Sequence, residues 1–126
     1  MSCFFDTNHG NKQPHVSAGG LVHSGLRARA VLVDMEEGVL AQLLKGKHSG
    51  MFKHCSLVKD ASGSGNNWAH GYFEHWANHG KPLVDQVRQS LEACDSPGTM
   101  LFVHSLSGGT GSGLGTRLLA ECSDYF

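Results

Sequence analysis

The sequence carries almost no excess of either charge. Ten Lys and Arg face eleven Asp and Glu, for a net charge of −1. That balance excludes a basic nucleic-acid surface and a polybasic membrane anchor. No apolar stretch approaches the roughly 20 residues that a membrane-spanning helix needs. The start, Met1 to His9, lacks the basic stretch and apolar run of a secretory signal, so none is expected. The four cysteines, Cys3, Cys55, Cys94 and Cys122, include no CxxC pair. They are read as reduced thiols of a cytosolic protein. No internal repeat is visible. Neither a nucleic acid nor a membrane is expected as a partner.

Glycine is what the chain has in plenty. Seventeen of 126 residues are Gly, about twice the usual share of roughly 7%. They cluster, which points to backbone brought close to a ligand. Nine His add positive charge at mildly acid pH. With 40% hydrophobic and 17% charged residues, the composition is that of an ordinary globular protein. The length suits one domain, able to bury roughly two-thirds of its unfolded surface.

Residues 1–26 are rich in Gly, His, Asn and Ser without an apolar period, and read as a loop or disordered leader. The pattern sharpens from residue 27 to 126. Ala30-Val31-Leu32-Val33 is a continuous apolar run, the signature of a strand buried on both faces. Val39, Leu40, Leu43 and Leu44 then share a helical face, which Gly46 can end. Ser56-Leu57-Val58 reads as a short strand. A Gly-rich turn at 62–67 leads to the aromatics Trp68, Tyr72, Phe73 and Trp76, read as a buried cluster rather than a partner surface.

A helix is expected to start at Pro82, which suits a first helical position. Leu83, Val87, Leu91 and Cys94 follow at helical spacing, and Asp85 can pair with Arg88 on the outer face. Met100-Leu101-Phe102-Val103 reads as a second buried strand. A last helix begins at Leu114, with Leu118, Leu119 and Cys122. Strands alternating with helices predict an α/β fold with a parallel sheet.

The chemistry of such sheets lies where strand ends meet the following loops. Three segments fall there. In Ser105 to Gly113, glycines let successive N–H groups point into one concavity. The next helix adds its positive dipole end, so a phosphate suits the site. Gly108, Gly109, Thr110, Gly111, Ser112 and Gly113 are the candidate binders, with the Ser105, Thr110 and Ser112 hydroxyls as further donors. A Walker loop is excluded because Leu114, not Lys, follows Gly113. A dinucleotide fingerprint fails too, since Leu114 or Thr116 stands where its last Gly belongs.

The second segment runs from Gly63 to Trp68. It offers backbone donors and an Asn amide to phosphate or sugar oxygens, or makes a plain turn. The third, Asp34-Met35-Glu36, offers two carboxylates to Mg²⁺, or simply decorates a helix start with acid.

Other constellations are set aside. His75 and His79 share a helical face, but Glu74 precedes His75, so HExxH is absent and no metal role is assigned. His54-Cys55 lacks a second Cys. His104 and Ser105 point to opposite faces of a strand, and no G-x-S-x-G elbow exists for a serine hydrolase.

Three motifs, in order, resemble those of the tubulin family. Ser107 to Gly115, S-G-G-T-G-S-G-L-G, is similar to its G-G-G-T-G-S-G signature, with Ser107 replacing the first Gly. Ser62 to Gly71 resembles S-G-x-G-N-N-W-A-x-G. Arg29 to Glu36 resembles R-A-x-x-V-D-x-E. Met35 to Val39 and Ser62 to Asn66 look most like the epsilon branch, and Ser2 to Thr7 echoes it weakly. The delta and zeta branches stay open. The resemblance covers about Leu26 to Phe126.

The resemblance implies part of a Rossmann-like, parallel-sheet GTPase domain, without the family's first strand and later strands. It implies that GTP phosphates bind at Gly109, Thr110 and Gly111, beside Ser105, with Ser64, Gly65 and Asn66 near the outer phosphates. Glu36 would approach Mg²⁺, with Asp34 close by.

The segments holding the base and supplying the catalytic acid are absent, so no residue here is expected to be catalytic. Hydrolysis between subunits stays open. The expected partners are guanine nucleotide and other tubulin subunits. The expected setting is the cytoplasmic cytoskeleton, at a centrosome or basal body for an epsilon-like chain. The alternative is a non-catalytic fragment or pseudogene product without nucleotide activity. A sheet lacking strands leaves edges unpaired, so the isolated chain is expected to fold poorly or aggregate.

Overall fold

A computed structural model describes residues 5–7, 26–46, 49–52 and 57–125. His54-Cys55 and most of the leader lie outside them. Within the leader, β1 (Phe5–Thr7) pairs antiparallel with β2 (Leu26–Ala28). Phe5 to Thr7 and Leu26, within the stretch read as loop, are strand.

The parallel sheet expected from the alternating pattern is present as β3 (Leu32–Asp34) beside β4 (Leu57–Lys59), in the register Leu32↔Leu57 to Asp34↔Lys59. Between them lies α1 (Glu37–Lys45), as a parallel crossover requires. Gly46 ends α1 by donating to the Gln42 and Leu43 carbonyls. On its face Leu40 is buried, but Val39 is 62% exposed, so the predicted stripe is narrower than four residues.

The following helix, α2, begins well before Pro82. Its π-helical segment is His70–His75 and its α-helical segment Trp76–Glu92, with Pro82 inside. The start is set by Asn67, whose Oδ1 accepts from the Ala69 N–H at 2.9 Å and the His70 N–H at 3.4 Å. That is an N-cap, supplying acceptors to donors the helix cannot satisfy itself. An internal proline costs a helix about 3 kcal/mol. Burial of Gly80, Leu83 and Val87 around it offsets that cost. Arg88 pairs with Asp85 at 3.4 Å, as expected, and with Glu92 at 2.8 Å.

The last helix, α3, is Gly115–Tyr125, entered through a π-helical segment, Thr110–Leu114. Leu83 and Val87 of α2 meet Leu114, Leu118 and Cys122 from this helical run, with Met35 beneath them. Val33 of β3 and Val58 of β4 pack against this cluster. The i, i+4 stripes read from the sequence are thus the core.

Two expectations fail here. Met100 to Val103 forms no strand among the described residues. Met100 and Phe102 pack on the core, while Leu101 is 68% and Val103 88% exposed. This alternation is that of extended chain covered on one face only. Its neighbour across the way is β3, separated by a cleft of about 770 Å³ lined by residues 29–34 and 97–105. A segment without a bonded neighbour cannot enter a ladder, and β3, bonded to β4 but open to the cleft, is half-buried. The aromatic cluster is only partly buried: Trp68 is 48% and Phe73 62% exposed, while Tyr72 and Trp76 are half-buried and Trp76 packs on the core. Trp68 stacks on Tyr72 at 4.6 Å, and Arg117 lies over Tyr72 and Trp76.

Candidate functional site

Two glycine-bearing loops meet where α2 and the last helical run begin. In the second loop, Gly65 and Asn66 both adopt positive φ, 55° and 53°. Asn67 N donates to the Ser64 carbonyl at 2.9 Å, closing the turn. Two positive central φ values are the type I′ pattern, which Gly and Asn accept at low cost. The turn presents Ser64 inward, 8% exposed, where its hydroxyl lies 2.9 Å from Thr110 Oγ1. One hydrogen bond therefore joins both candidate segments. The Asn66 carboxamide also faces Gly108, whose φ of 80° favours glycine.

In the main loop, Ser105 Oγ donates to the Ser107 carbonyl at 2.7 Å. Ser112 Oγ donates back to the Gly108 carbonyl. The N–H groups of Gly109, Thr110, Gly111 and Ser112 donate to no acceptor among the described residues, whereas Gly113 and Leu114 donate to the Gly109 carbonyl. These four donors are the unsatisfied first turn of a helix, carrying its positive dipole end. A Cβ on Gly111 would run into the Ser105 hydroxyl, and one on Gly109 into the Ser64 side chain. The backbone is bare there because side chains do not fit.

The helix starts also touch each other. A Cβ on Gly71 would overlap the Gly109 carbonyl, and one on Gly113 the Trp68 carbonyl. Backbone meets backbone at this crossing, which holds the two loops side by side. The sequence reading missed Gly71 and Asn67. An Asn ahead of a helical aromatic spacing was the available signal for the cap.

The acidic segment is less completely gathered. Asp34 ends β3 and lines the cleft with Ser105, Thr110 and Gly111. Its Oδ1 accepts from the Glu36 N–H at 3.2 Å. Glu36 is the exposed residue preceding α1, and its side chain makes no cap. At the base of the second loop, Asp60 accepts from His79 at 2.9 Å and from Ala61 N–H at 2.7 Å. The His79 contact first, then the Ala61 amide, holds its carboxyl down at about 2. Among the described residues, no helix is long and apolar enough to cross a membrane.

A parallel β–α unit, with unengaged helix-start amides after the last extended segment, defines an α/β domain. The family model for the GTPase domain of the Tubulin/FtsZ family matches residues 8–126, and the chain belongs to that family. The Tubulin epsilon chain of Mus musculus is 44% identical over 115 residues, which is 88% of this chain and 24% of that relative. The Homo sapiens Tubulin epsilon chain gives the same figures. A Tubulin beta chain of Porphyra purpurea is 43% identical over 98 residues, 78% of this chain and 21% of its own length. The chain thus spans about a quarter of the length of the curated relatives it matches.

Proposed function

We propose that this chain holds the phosphates of GTP on the N–H groups of Gly109, Thr110, Gly111 and Ser112. The observation that carries this reading is those four unengaged donors at a helix start, beside a cleft that Thr110, Gly111 and Asp34 line. Phosphate oxygens accept several hydrogen bonds at once and carry the charge that a helix start favours. Gly108 and Gly113 shape the loop at its two ends. Ser105 and Ser112 brace it through the Ser107 and Gly108 carbonyls. Ser64, Gly65 and Asn66 stand beside Gly108 and Thr110, suited to the outer phosphates.

Mg²⁺ fits the same place. Magnesium takes one or two carboxylates, several waters and phosphate oxygens. Asp34 supplies a carboxylate in the cleft. Glu36, two residues on, is exposed and free to turn toward it. The ion would neutralise phosphate charge that the amides alone leave uncompensated.

The protein as a whole acts, on this reading, as an epsilon-like tubulin subunit of the centrosomal or basal-body cytoskeleton, partnered by guanine nucleotide and other subunits. The epsilon-chain relatives support that choice of branch. The test is equilibrium GTP binding by the full-length protein and by Gly111→Ala, whose added methyl enters the Ser105 contact. A loss of about tenfold or more in affinity, measured well below the melt of the variant itself, is expected. Unchanged affinity would remove the phosphate assignment. No measurable GTP binding by the wild type would favour a fragment without nucleotide activity.

A further inference from the structure

We infer that Asp60, His75 and His79 form a binding site for a divalent cation of the zinc type, set where the second loop joins α2. The two histidines lie one helical turn apart, and Asp60 follows β4 directly. Their three ligand atoms lie within 4.8 Å of one another. His79 Nε2 is 2.9 Å and His75 Nδ1 3.9 Å from the same oxygen, Asp60 Oδ2, and a cation would take the place of the His79 Nε2 hydrogen, which moves to His79 Nδ1 or to water.

The tautomer of His75 is what points to a cation. The ring is 2% exposed, and its Nε2 lies 2.9 Å from the Gly63 carbonyl oxygen. A carbonyl can only accept, so Nε2 carries the hydrogen. In the neutral ring, Nδ1 is then a bare lone pair. It faces a carboxylate oxygen, another acceptor, at a distance beyond any hydrogen bond. The lone pair of a buried ring thus faces a partly exposed carboxylate oxygen, and a cation between them would satisfy both.

The surroundings orient both groups for that role. A metal-bound His usually donates its other ring N–H to a carbonyl or carboxylate, which fixes the ring and raises its basicity. Gly63 provides such a carbonyl for His75. Asp60 Oδ1 is tied to the Ala61 N–H, and Ser62 Oγ donates to Oδ2 at 3.2 Å, so the carboxylate is steered as well. His70 turns away to Glu74, at 3.0 Å, and stays outside the set.

Two imidazoles and one carboxylate suit zinc better than magnesium or calcium, which prefer all-oxygen shells. Ligand atoms about 2.0–2.1 Å from a tetrahedral zinc stand roughly 3.3 Å apart. The present separations bracket that value, so small side-chain rotations suffice. Water would complete the shell. Such an ion would clamp the loop carrying Ser64 to α2. That would link cation binding to the rigidity of the second loop without contacting nucleotide.

The experiment is a titration of chelator-treated, full-length protein with Co²⁺ alone and then Zn²⁺, read by visible ligand-field absorption and calorimetry. One saturable site, with Co²⁺ displaced by Zn²⁺, is expected. Asp60→Asn and His79→Gln, both at partly exposed positions, are each expected to weaken it at least about tenfold. His70→Gln should leave it unchanged. Absence of saturable binding in the wild type would overturn the inference, leaving a proton on His75 as what separates the two acceptors. Equal affinity in Asp60→Asn and His79→Gln would overturn it too, by placing the site at other histidines.

Discussion

Replacing Gly113 by Ala tests the contact that sets the two loops side by side. Inside a helix, Ala is ordinarily better than Gly by about 1 kcal/mol. At 113 the new Cβ would overlap the Trp68 carbonyl oxygen and stand 2.8 Å from Tyr72 N and 3.0 Å from Gly71 Cα. All three are backbone atoms, which cannot swing aside as a side-chain tip does. Overpacking costs typically about 1–3 kcal/mol, and rigid neighbours place this case at the top of that range. Subtracting the propensity gain leaves a net loss of about 2 kcal/mol.

For a domain of this size, that lowers Tm by roughly 8 °C. The internal control is Gly38→Ala in α1, where nothing lies within 4 Å of the added methyl. There the expected change is a gain of about 0.5–1 kcal/mol. Differential scanning calorimetry of both variants in full-length protein reads the contrast. Equal stabilisation by the two substitutions would refute the close backbone crossing at Gly71 and Gly113.

Further outcomes follow from single side chains. Asn67→Ala removes the α2 cap and should cost about 1 kcal/mol in urea unfolding, whereas Asn67→Ser should restore most of it. Ser64→Ala breaks the bridge to Thr110. It should cost roughly 1 kcal/mol of stability and speed nucleotide release, read by stopped flow. Burial pushes the Cys122 thiol above its ordinary value of 9.0, with nearby Glu121 adding to it. Folding therefore favours the neutral thiol, so its contribution to stability is complete below pH 9.0 and declines as the pH rises further. Mass spectrometry after iodoacetamide treatment at neutral pH should find Cys122, 2% exposed, modified more slowly than half-buried Cys94.

The parts of this fold that repeat were readable from residue spacing. Leu83, Val87, Leu114, Leu118 and Cys122 recur at helical intervals and became the core. The alternation of strand and helix likewise became the parallel pair of β3 and β4. The close approach of backbone at the main loop was legible because glycines between an apolar run and a helix leave room for it.

What failed depended on partners far away in sequence. Met100 to Val103 has every local property of a strand, but a strand exists only when a neighbour bonds to it. Pro82 looked like a helix start because its missing N–H is harmless there. Asn67, fifteen residues earlier, provides a stronger cap, and core burial keeps Pro82 in place. Trp68 and Phe73 were read as buried from their size alone, and their exposure follows from lying on the outer side of the α2 start. His75 and His79 carried no message as a pair. Asp60 reaches them only because β4 ends against α2.

Phosphate binding at the main loop is read most directly by titrating isotopically labelled full-length protein with GTP and, separately, with guanosine, and following the backbone amide resonances. The amides of Gly109, Thr110, Gly111 and Ser112 are expected to move most with GTP and little with guanosine. Large shifts confined to other segments, with these four amides unmoved at saturating GTP, would contradict phosphate binding there.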